Sequence, residues 1–329
     1  MNYKLLDFFR SNYFRLIRRK PNFKRFRSKI NDINASDDFI GAAIASGKPF
    51  MIAKLGESEL EVLRNYFAIE RNKKKSKFFL FFDYLKYGEK NIWTGFNTIV
   101  NDSGFFPKNE NLLFKISEIY VNGIKNIDYF GTAQGLDGWY NNRGEDFVIN
   151  KLNPFVNIIT VSALDALAYN KITWPSYLKN KKVLVIHPFQ KSIESNYENH
   201  DKVFPKEFLP SFNLKTLKSV QSIGFNETGF NDWFEALKDM ELKIDNIDFD
   251  IALIGCGAYG LPLASFIKNK GKQAIHVGGA LQLYFGILGK RWDNHPVIKD
   301  IKNKYWIRPD DTEIPISFEI VGNGSKSYW

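Results

Sequence analysis

The chain has 329 residues, of which 44% are hydrophobic, and a single cysteine, Cys256. This apolar content supplies a core of domain size and excludes an intrinsically disordered chain. One cysteine excludes a fold held by intrachain disulfides and favours a reducing compartment. The net charge of +10 is concentrated at the start of the chain, because the first 30 residues hold ten basic residues and one acid, Asp7.

The segment of residues 1–35 is predicted to form a basic amphipathic extension of the domain that follows. Apolar residues, among them Leu5, Phe8 and Ile17, recur between its charges at spacings near three and four. Such a helix binds anionic membrane surfaces, and the alternative is a solvated helix that packs on the globule through its Phe face. We expect residues 1–30 to provide membrane association.

The charge distribution also bears on localisation and on other partners. The remainder of the chain is nearly neutral and carries no evident basic patch, so we expect no nucleic-acid partner. Basic residues interrupt any apolar stretch of a signal peptide in the N-terminal segment. The expected localisation is cytoplasmic, with peripheral attachment to the inner face of the membrane.

Residues 36–329 alternate between strand and helix patterns and are predicted to form one domain. Ser36, followed by two aspartates, is predicted to cap the first helix. The predicted strands are 49–55, 128–131, 157–161, 182–187, 214–221, 249–254 and 273–277. The predicted helices are 58–68, 112–121, 192–197, 232–242, 261–270 and 280–288. This alternation predicts a Rossmann-like α/β fold with a doubly wound, mostly parallel sheet.

The first candidate site follows the predicted strand 49–55, in a sheet type that binds ligands beyond the carboxyl ends of its strands. Lys54 lies near the strand end, Gly56 turns the chain, and Glu57 and Glu59 stand at a helix start. Two nearby carboxylates can share a divalent cation, manganese or magnesium, with substrate phosphates completing its shell. The alternative, which spacing alone favours, is that these acids complement the helix dipole.

A second candidate site follows the predicted strand 182–187. The strand ends at His187, and Lys191 and Ser192 stand where a helix is predicted to begin. A helix N-terminus with a lysine and a hydroxyl group is suited to a diphosphate. The alternative is an ordinary exposed loop.

The third candidate site is a glycine turn between a predicted strand and a predicted helix. Gly255, Gly257 and Gly260, with Tyr259 among them, match the dinucleotide fingerprint G-x-G-x-x-G. The glycines would let the backbone approach a phosphate. The acidic residue expected about 20 positions further on is missing, so we expect a phosphate-bearing nucleotide here and no nicotinamide cofactor.

The strand–Gly–acid–x–acid segment resembles the GT-D-type glycosyltransferases, bacterial sugar transferases with a Rossmann-like fold and a metal-associated Asp-x-Glu motif. Their typical string is an arginine, an apolar residue and Gly-Asp-Gly-Glu. Here residues 54–59 read Lys-Leu-Gly-Glu-Ser-Glu, which matches at Gly56, Glu57 and Glu59 and departs at Lys54, at Ser58 and in having glutamate for aspartate at 57. Residues 101–107 and 251–260 also resemble landmarks of such proteins.

This resemblance implies transfer of a sugar from a nucleoside-diphosphate sugar to a glycan or lipid-linked acceptor, in surface polysaccharide or glycoprotein assembly. It implies that Glu57 and Glu59 are the metal-binding and catalytic acids. The catalytic base stays open among Asp137, Glu145 and Asp165. Two other hypotheses stay open as well: an NAD(P)-dependent oxidoreductase that uses the glycine turn, and a non-catalytic interaction protein with a Rossmann-like core.

Overall fold

The computed structural model describes residues 32–72, 92–133, 144–205, 207–223, 226–316 and 328–329. The predicted membrane-binding segment, residues 1–30, lies outside these ranges, and so does Asp137. Within them the chain forms an α/β fold around one parallel sheet, which confirms the predicted fold class.

The sheet has seven strands in the described ranges, and every pair of neighbours is parallel. The strands are β1 (Phe50–Ala53), β2 (Tyr129–Thr132), β3 (Asn157–Thr160), β4 (Lys182–His187), β5 (Asn213–Lys218), β6 (Ile251–Ile254) and β7 (Gln273–His276). Their order is β3-β2-β1-β7-β6-β4-β5. The chain therefore starts in the middle of the sheet, builds one side, crosses to the other, and returns to place β7 against β1.

Helices cover both faces of the sheet. In chain order those of the described ranges are α1 (Ile33–Ala45), α2 (Glu57–Asn72), α3 (Ile92–Ser103), α4 (Leu113–Lys125), α5 (Glu145–Leu152), α6 (Gln190–Tyr197), α7 (His200–Val203), α8 (Trp233–Asp245), α9 (Gly260–Asn269), α10 (Leu281–Tyr284) and α11 (Pro296–Ile301). None of them combines the length and the apolar character needed to cross a bilayer.

The core consists of two hydrophobic layers, one on each face of the sheet. Successive strand residues alternate between them: Met51 and Ala53 belong to the first layer, and Phe50 and Ile52 to the second. Helices α2, α3, α4, α5, α8 and α9 form the first layer, and α1, α6, α7, α10 and α11 the second. Strands β1, β6 and β7 are buried along their whole length, and β1 and β6 are apolar throughout, as is typical of central parallel strands.

The first helix begins earlier than the sequence predicted. Asp32 caps α1, because its side chain accepts a hydrogen bond from the backbone N–H of Ala35. Ser36, the predicted cap, lies inside the helix, and its Oγ accepts the N–H of Thr160 at 3.1 Å. The predicted cap was wrong because a hydroxyl that looked suited to local capping is used for a contact with β3.

Two element ends near the sheet edge also differ from the prediction. Strand β5 was expected to reach Gln221 but ends at Lys218, opposite His187, where β4, its neighbour in the described part of the sheet, also ends. The helix predicted over 280–288 is reduced to α10, because Gly286 has a φ of +68° and breaks the helical path.

Candidate functional site

The carboxyl ends of all seven strands border one cleft of about 1080 Å³. Each strand contributes a residue that follows it: Lys54, Ala133, Val161, Pro188, Ser219, Gly255 and Val277. This is the position in which doubly wound sheets bind their ligands. Strand β1, which carries the first candidate site, lies beside β7 at the centre of this edge.

Glu57 and Glu59 both line the cleft and lie in the first turn of α2. The Glu59 carboxylate folds back over the helix start, since a Cβ built on Gly56 would lie 2.0 Å from its Oε2. Ser58 donates to that same oxygen at 3.1 Å. Glycine at position 56 therefore leaves room for the buried carboxylate of Glu59.

The two glutamates offer hard oxygen ligands for a divalent cation. Within the described ranges no group of three or more His, Cys, Asp or Glu side chains is arranged to hold a metal ion. Magnesium commonly binds one or two carboxylates and fills its remaining positions with water and substrate phosphate. As a donor set bordering a cleft, Glu57 and Glu59 fit this kind of shared cation site rather than one enclosed by protein.

Lys54 places an ammonium group in the same part of the cleft. It packs on the turn after β7, because a Cβ on Gly278 would lie 2.9 Å from its Nζ. The side chain forms no ion pair with any residue in the described ranges. Burial lowers the pKa of Lys54, the charge of Glu59 opposes that shift, and Arg291 adds to it. The cleft thus presents a cation that lacks a direct anionic partner.

Glu145 is a carboxyl group of the cleft with a raised pKa. It accepts hydrogen bonds from Thr132 Oγ1 at 2.6 Å and from the N–H of Ala133 at 3.2 Å. Its side chain is buried, and this burial raises its pKa to about 7 in spite of those bonds and of the nearby Lys54 charge. Burial also raises the pKa of Asp165, which accepts the N–H of Leu167.

The raised pKa of Glu145 predicts a pH dependence of stability. The group binds its proton more tightly in the folded state, so its contribution is complete below the ordinary value of 4.5 and lost as pH rises through about 7. We expect Glu145→Gln to gain stability relative to the wild type across this window, by at most about 3 kcal/mol. Urea unfolding of both proteins from pH 4.5 to 8 measures this difference, and parallel curves would contradict the assignment.

The residues of the second candidate site do not all lie in the cleft. His187 lines the cleft, and burial lowers its pKa to about 3, so the ring is neutral and its Nδ1 accepts the N–H of Phe189. Lys191 and Ser192 are not part of the cleft lining. Their backbone N–H groups donate to the carboxylate of Glu313, at 2.7 and 3.2 Å, and Lys191 Nζ pairs with Asp310 at 2.7 Å. The start of α6 therefore already holds a carboxylate of the chain itself.

The glycine turn lines the cleft, but close packing within the chain explains its glycines. A Cβ on Gly255 would lie 2.7 Å from the carbonyl oxygen of Gly278, one on Gly257 2.7 Å from that of Ser103, and one on Gly260 2.2 Å from His276 Nε2. The three glycines of the fingerprint are therefore explained by neighbouring segments that pack too closely to leave room for a side chain. This geometry gives no separate support to a dinucleotide cofactor.

Tyr259 is held inside the turn by two contacts. Its ring stacks on Trp233, with centroids 5.0 Å apart and an angle of 10° between the planes. Its hydroxyl lies 3.2 Å from Ser222 Oγ. The side chain is 1% exposed, so Tyr259 shapes the wall of the cleft from within the first hydrophobic layer.

Sequence reasoning missed the residues that the C-terminal part of the chain brings to the cleft. The Arg291 guanidinium lies 4.9 Å from the ring centroid of Trp292 and 5.4 Å from that of Tyr328. All three residues line the cleft, together with Trp329. No motif marks them, and only the enrichment of aromatic residues beside an arginine offered a signal.

The cleft therefore combines two cationic side chains, first-turn acids, a carboxyl group of raised pKa and an aromatic wall. Such a set is suited to a ligand that carries phosphate groups and a ring system. Comparison with protein-family models, with curated proteins and with solved structures finds no match for the chain.

Proposed function

We propose that the protein is a glycosyltransferase that moves a sugar from a nucleoside-diphosphate sugar to a glycan or lipid-linked acceptor, in surface polysaccharide or glycoprotein assembly. The observation that carries the proposal is the juxtaposition in one cleft of Lys54, which has no ion pair in the part of the chain that the structure describes, and the acids Glu57 and Glu59. Anionic phosphates would supply the partner that Lys54 lacks within the described ranges. The acids would at the same time hold a cation against those phosphates.

Each group of the cleft has a role in this proposal. Lys54 and Arg291 bind and orient the diphosphate, and Glu57 and Glu59 hold manganese or magnesium. When bound, such a cation neutralises the charge that develops on the leaving diphosphate. The aromatic rings of Trp292 and Tyr328 offer a surface on which a nucleobase stacks.

Glu145 is the residue that we propose to accept the proton of the acceptor hydroxyl. A general base is most effective when its pKa lies near the working pH, and burial raises that of Glu145 to about 7. The hydrogen bonds from Thr132 and Ala133 fix the orientation of the carboxylate. Asp165 would then serve the local backbone, whose Leu167 N–H it accepts.

The extension of residues 1–30 would bring this activity to an anionic membrane surface, where lipid-linked acceptors reside.

The two alternative functions, an NAD(P)-dependent oxidoreductase and a non-catalytic interaction protein, are outcomes of the nucleotide-binding experiment described below. The packing of Gly255, Gly257 and Gly260 against other segments gives neither of them added support.

A thermal-shift experiment with nucleotides tests the proposal. We expect uridine, guanosine or thymidine diphosphate to raise the Tm of the full chain by several degrees at 100 times its Kd, since such an excess stabilises by about 2.7 kcal/mol. We expect this shift to increase with manganese. A response to NAD(H) or NADP(H) instead would support the oxidoreductase, and no response to any nucleotide would support the interaction protein.

A further inference from the structure

We infer that the cleft wall formed by the end of α3 and the segment after β5 binds the hydroxyl groups of an uncharged sugar. This polar wall consists of Asn101, Ser219, Gln221 and Ser222, all of which line the cleft. The inference rests on the proposed function, since it assigns the sugar of the donor or the acceptor to particular residues. It adds a binding surface that is separate from the phosphate-facing Lys54.

Three atoms of the polar wall are buried without a hydrogen-bond partner in the part of the chain that the structure describes. They are Asn101 Oδ1, Ser219 Oγ and Gln221 Nε2. Ser219 is 2% exposed, so its side chain is withdrawn from bulk solvent although the residue lines the cleft. Buried polar groups are rarely left unpaired because this is costly, and each such group calls for an explanation. A ligand in the cleft provides one.

The chemistry of these atoms matches hydroxyl groups. Asn101 Oδ1 only accepts a hydrogen bond, Gln221 Nε2 only donates, and Ser219 Oγ does both. A sugar hydroxyl also donates and accepts, so it can pair with each of these three kinds of atom. The acidic residues Glu57, Glu61 and Asp102 line the cleft on the neighbouring helices α2 and α3, which disfavours a sugar that carries negative charge.

The polar wall is held together by direct contacts and adjoins the first-turn acids. Ser222 Oγ donates to the carbonyl oxygen of Gly104 at 2.5 Å, which joins the segment after β5 to the end of α3. At that end Ser103 Oγ lies 2.5 Å from Ser58 Oγ, and Ser58 donates to Glu59. A sugar on this wall would therefore sit next to a diphosphate held at Lys54.

The aromatic residues that line the cleft, apart from Tyr259, belong to the other side. Phe189, Trp292 and Trp329 are part of the hydrophobic layer on the second face of the sheet, whereas Val220 and Tyr259, at the polar wall, pack in the first layer. The ring of Tyr259 is already stacked on Trp233. A nucleobase would find its stacking partners on the aromatic side, which leaves the polar wall to the sugar.

Saturation-transfer NMR with the full chain tests this inference without requiring turnover. The probes are free glucose, galactose, N-acetylglucosamine and rhamnose, with glucuronic acid and uridine as competitors for the same wall. We expect the wild type to transfer saturation to at least one neutral sugar. We expect Ser219→Ala and Gln221→Leu each to weaken the binding of that sugar at least tenfold and to leave the binding of uridine unchanged. Ser211→Ala and Gln190→Leu, outside the cleft lining, are the matched controls.

Stability separates a ligand-binding role from a structural one. Because Ser219 Oγ has no partner in the described ranges, Ser219→Ala should have a Tm equal to or above that of the wild type. The inference is overturned if no neutral sugar receives saturation from the protein or if both variants bind the sugar like the wild type. It is also overturned if Ser219→Ala and Gln221→Leu weaken the binding of uridine or glucuronic acid instead. Titration of the wild type with uridine, guanosine and thymidine diphosphates tests the proposed function separately. If none of these nucleotides binds, the proposed function is wrong, but the measured binding of the sugar is unaffected.

Discussion

Glu57→Gln and Glu59→Gln should each lower sugar transfer at least about 100-fold and leave the Tm within a few degrees of the wild type. The reason is that a cation at the leaving diphosphate supplies several kcal/mol of stabilisation, and about 1.4 kcal/mol corresponds to a factor of ten in rate. Loss of a first-turn acid costs only about 0.3–1 kcal/mol of stability through the helix dipole. Activity and Tm should be measured with and without manganese, and manganese binding by calorimetry.

Glu235→Gln is the matched control for this pair. Glu235 lies in the first turn of α8, as Glu59 does in that of α2, but it is exposed and outside the cleft lining. It should lose a similar small amount of stability and no activity. Near-wild-type transfer by both cleft variants, or unchanged manganese binding, would reject the metal-binding role and leave the two acids as complements of the helix dipole.

Lys54→Met should strongly weaken nucleotide binding and raise the Tm. Burial lowers the pKa of Lys54, so the folded protein holds the ammonium at a cost, and methionine of similar length removes that cost. Loss of a charged partner in a desolvated site costs about 2–5 kcal/mol of binding. We therefore expect the Kd for a nucleoside diphosphate to rise at least about 30-fold, as measured by calorimetry.

Lys191→Met controls for the loss of a lysine as such. Sequence reasoning gave Lys191 the same phosphate-binding role, but the structure places its ammonium 2.7 Å from Asp310 and outside the cleft lining. This variant should bind the nucleotide like the wild type. If Lys191→Met weakens binding and Lys54→Met does not, the diphosphate lies at α6 and the proposed placement in the cleft is wrong.

The fold was predictable wherever local pattern decides structure. The pattern of residues 182–187 followed by Pro188 predicted β4 to the residue, and the helix predicted from residue 232 begins one residue later as α8, which Asp232 caps. Element ends set by distant partners were not predictable. Strand β5 stops at Lys218 because β4 stops at His187, and nothing within residues 214–221 signals this.

The same distinction applies to the candidate site. Lys54, Glu57 and Glu59 were found because a strand, a turn and a helix start follow one another within a few residues. Ser219 and Gln221 were assigned to a strand, so their place in the cleft was missed. The carboxylate that occupies the start of α6 comes from Glu313, more than 100 positions away, and no short-range pattern reveals such a contact.

The strand order has a consequence for synthesis on the ribosome. Strand β1 pairs with β7 at the centre of the sheet, although more than 200 residues separate them in sequence. At translation rates of about 5–20 residues per second, one edge of β1 waits on the order of 10–40 s for its neighbour. During that time the nascent chain exposes an unpaired, wholly apolar strand edge, which is a hazard for aggregation and a place for a chaperone to bind. Because Lys54 and Gly278 lie at the ends of these two strands, the cleft forms at the moment when the sheet closes.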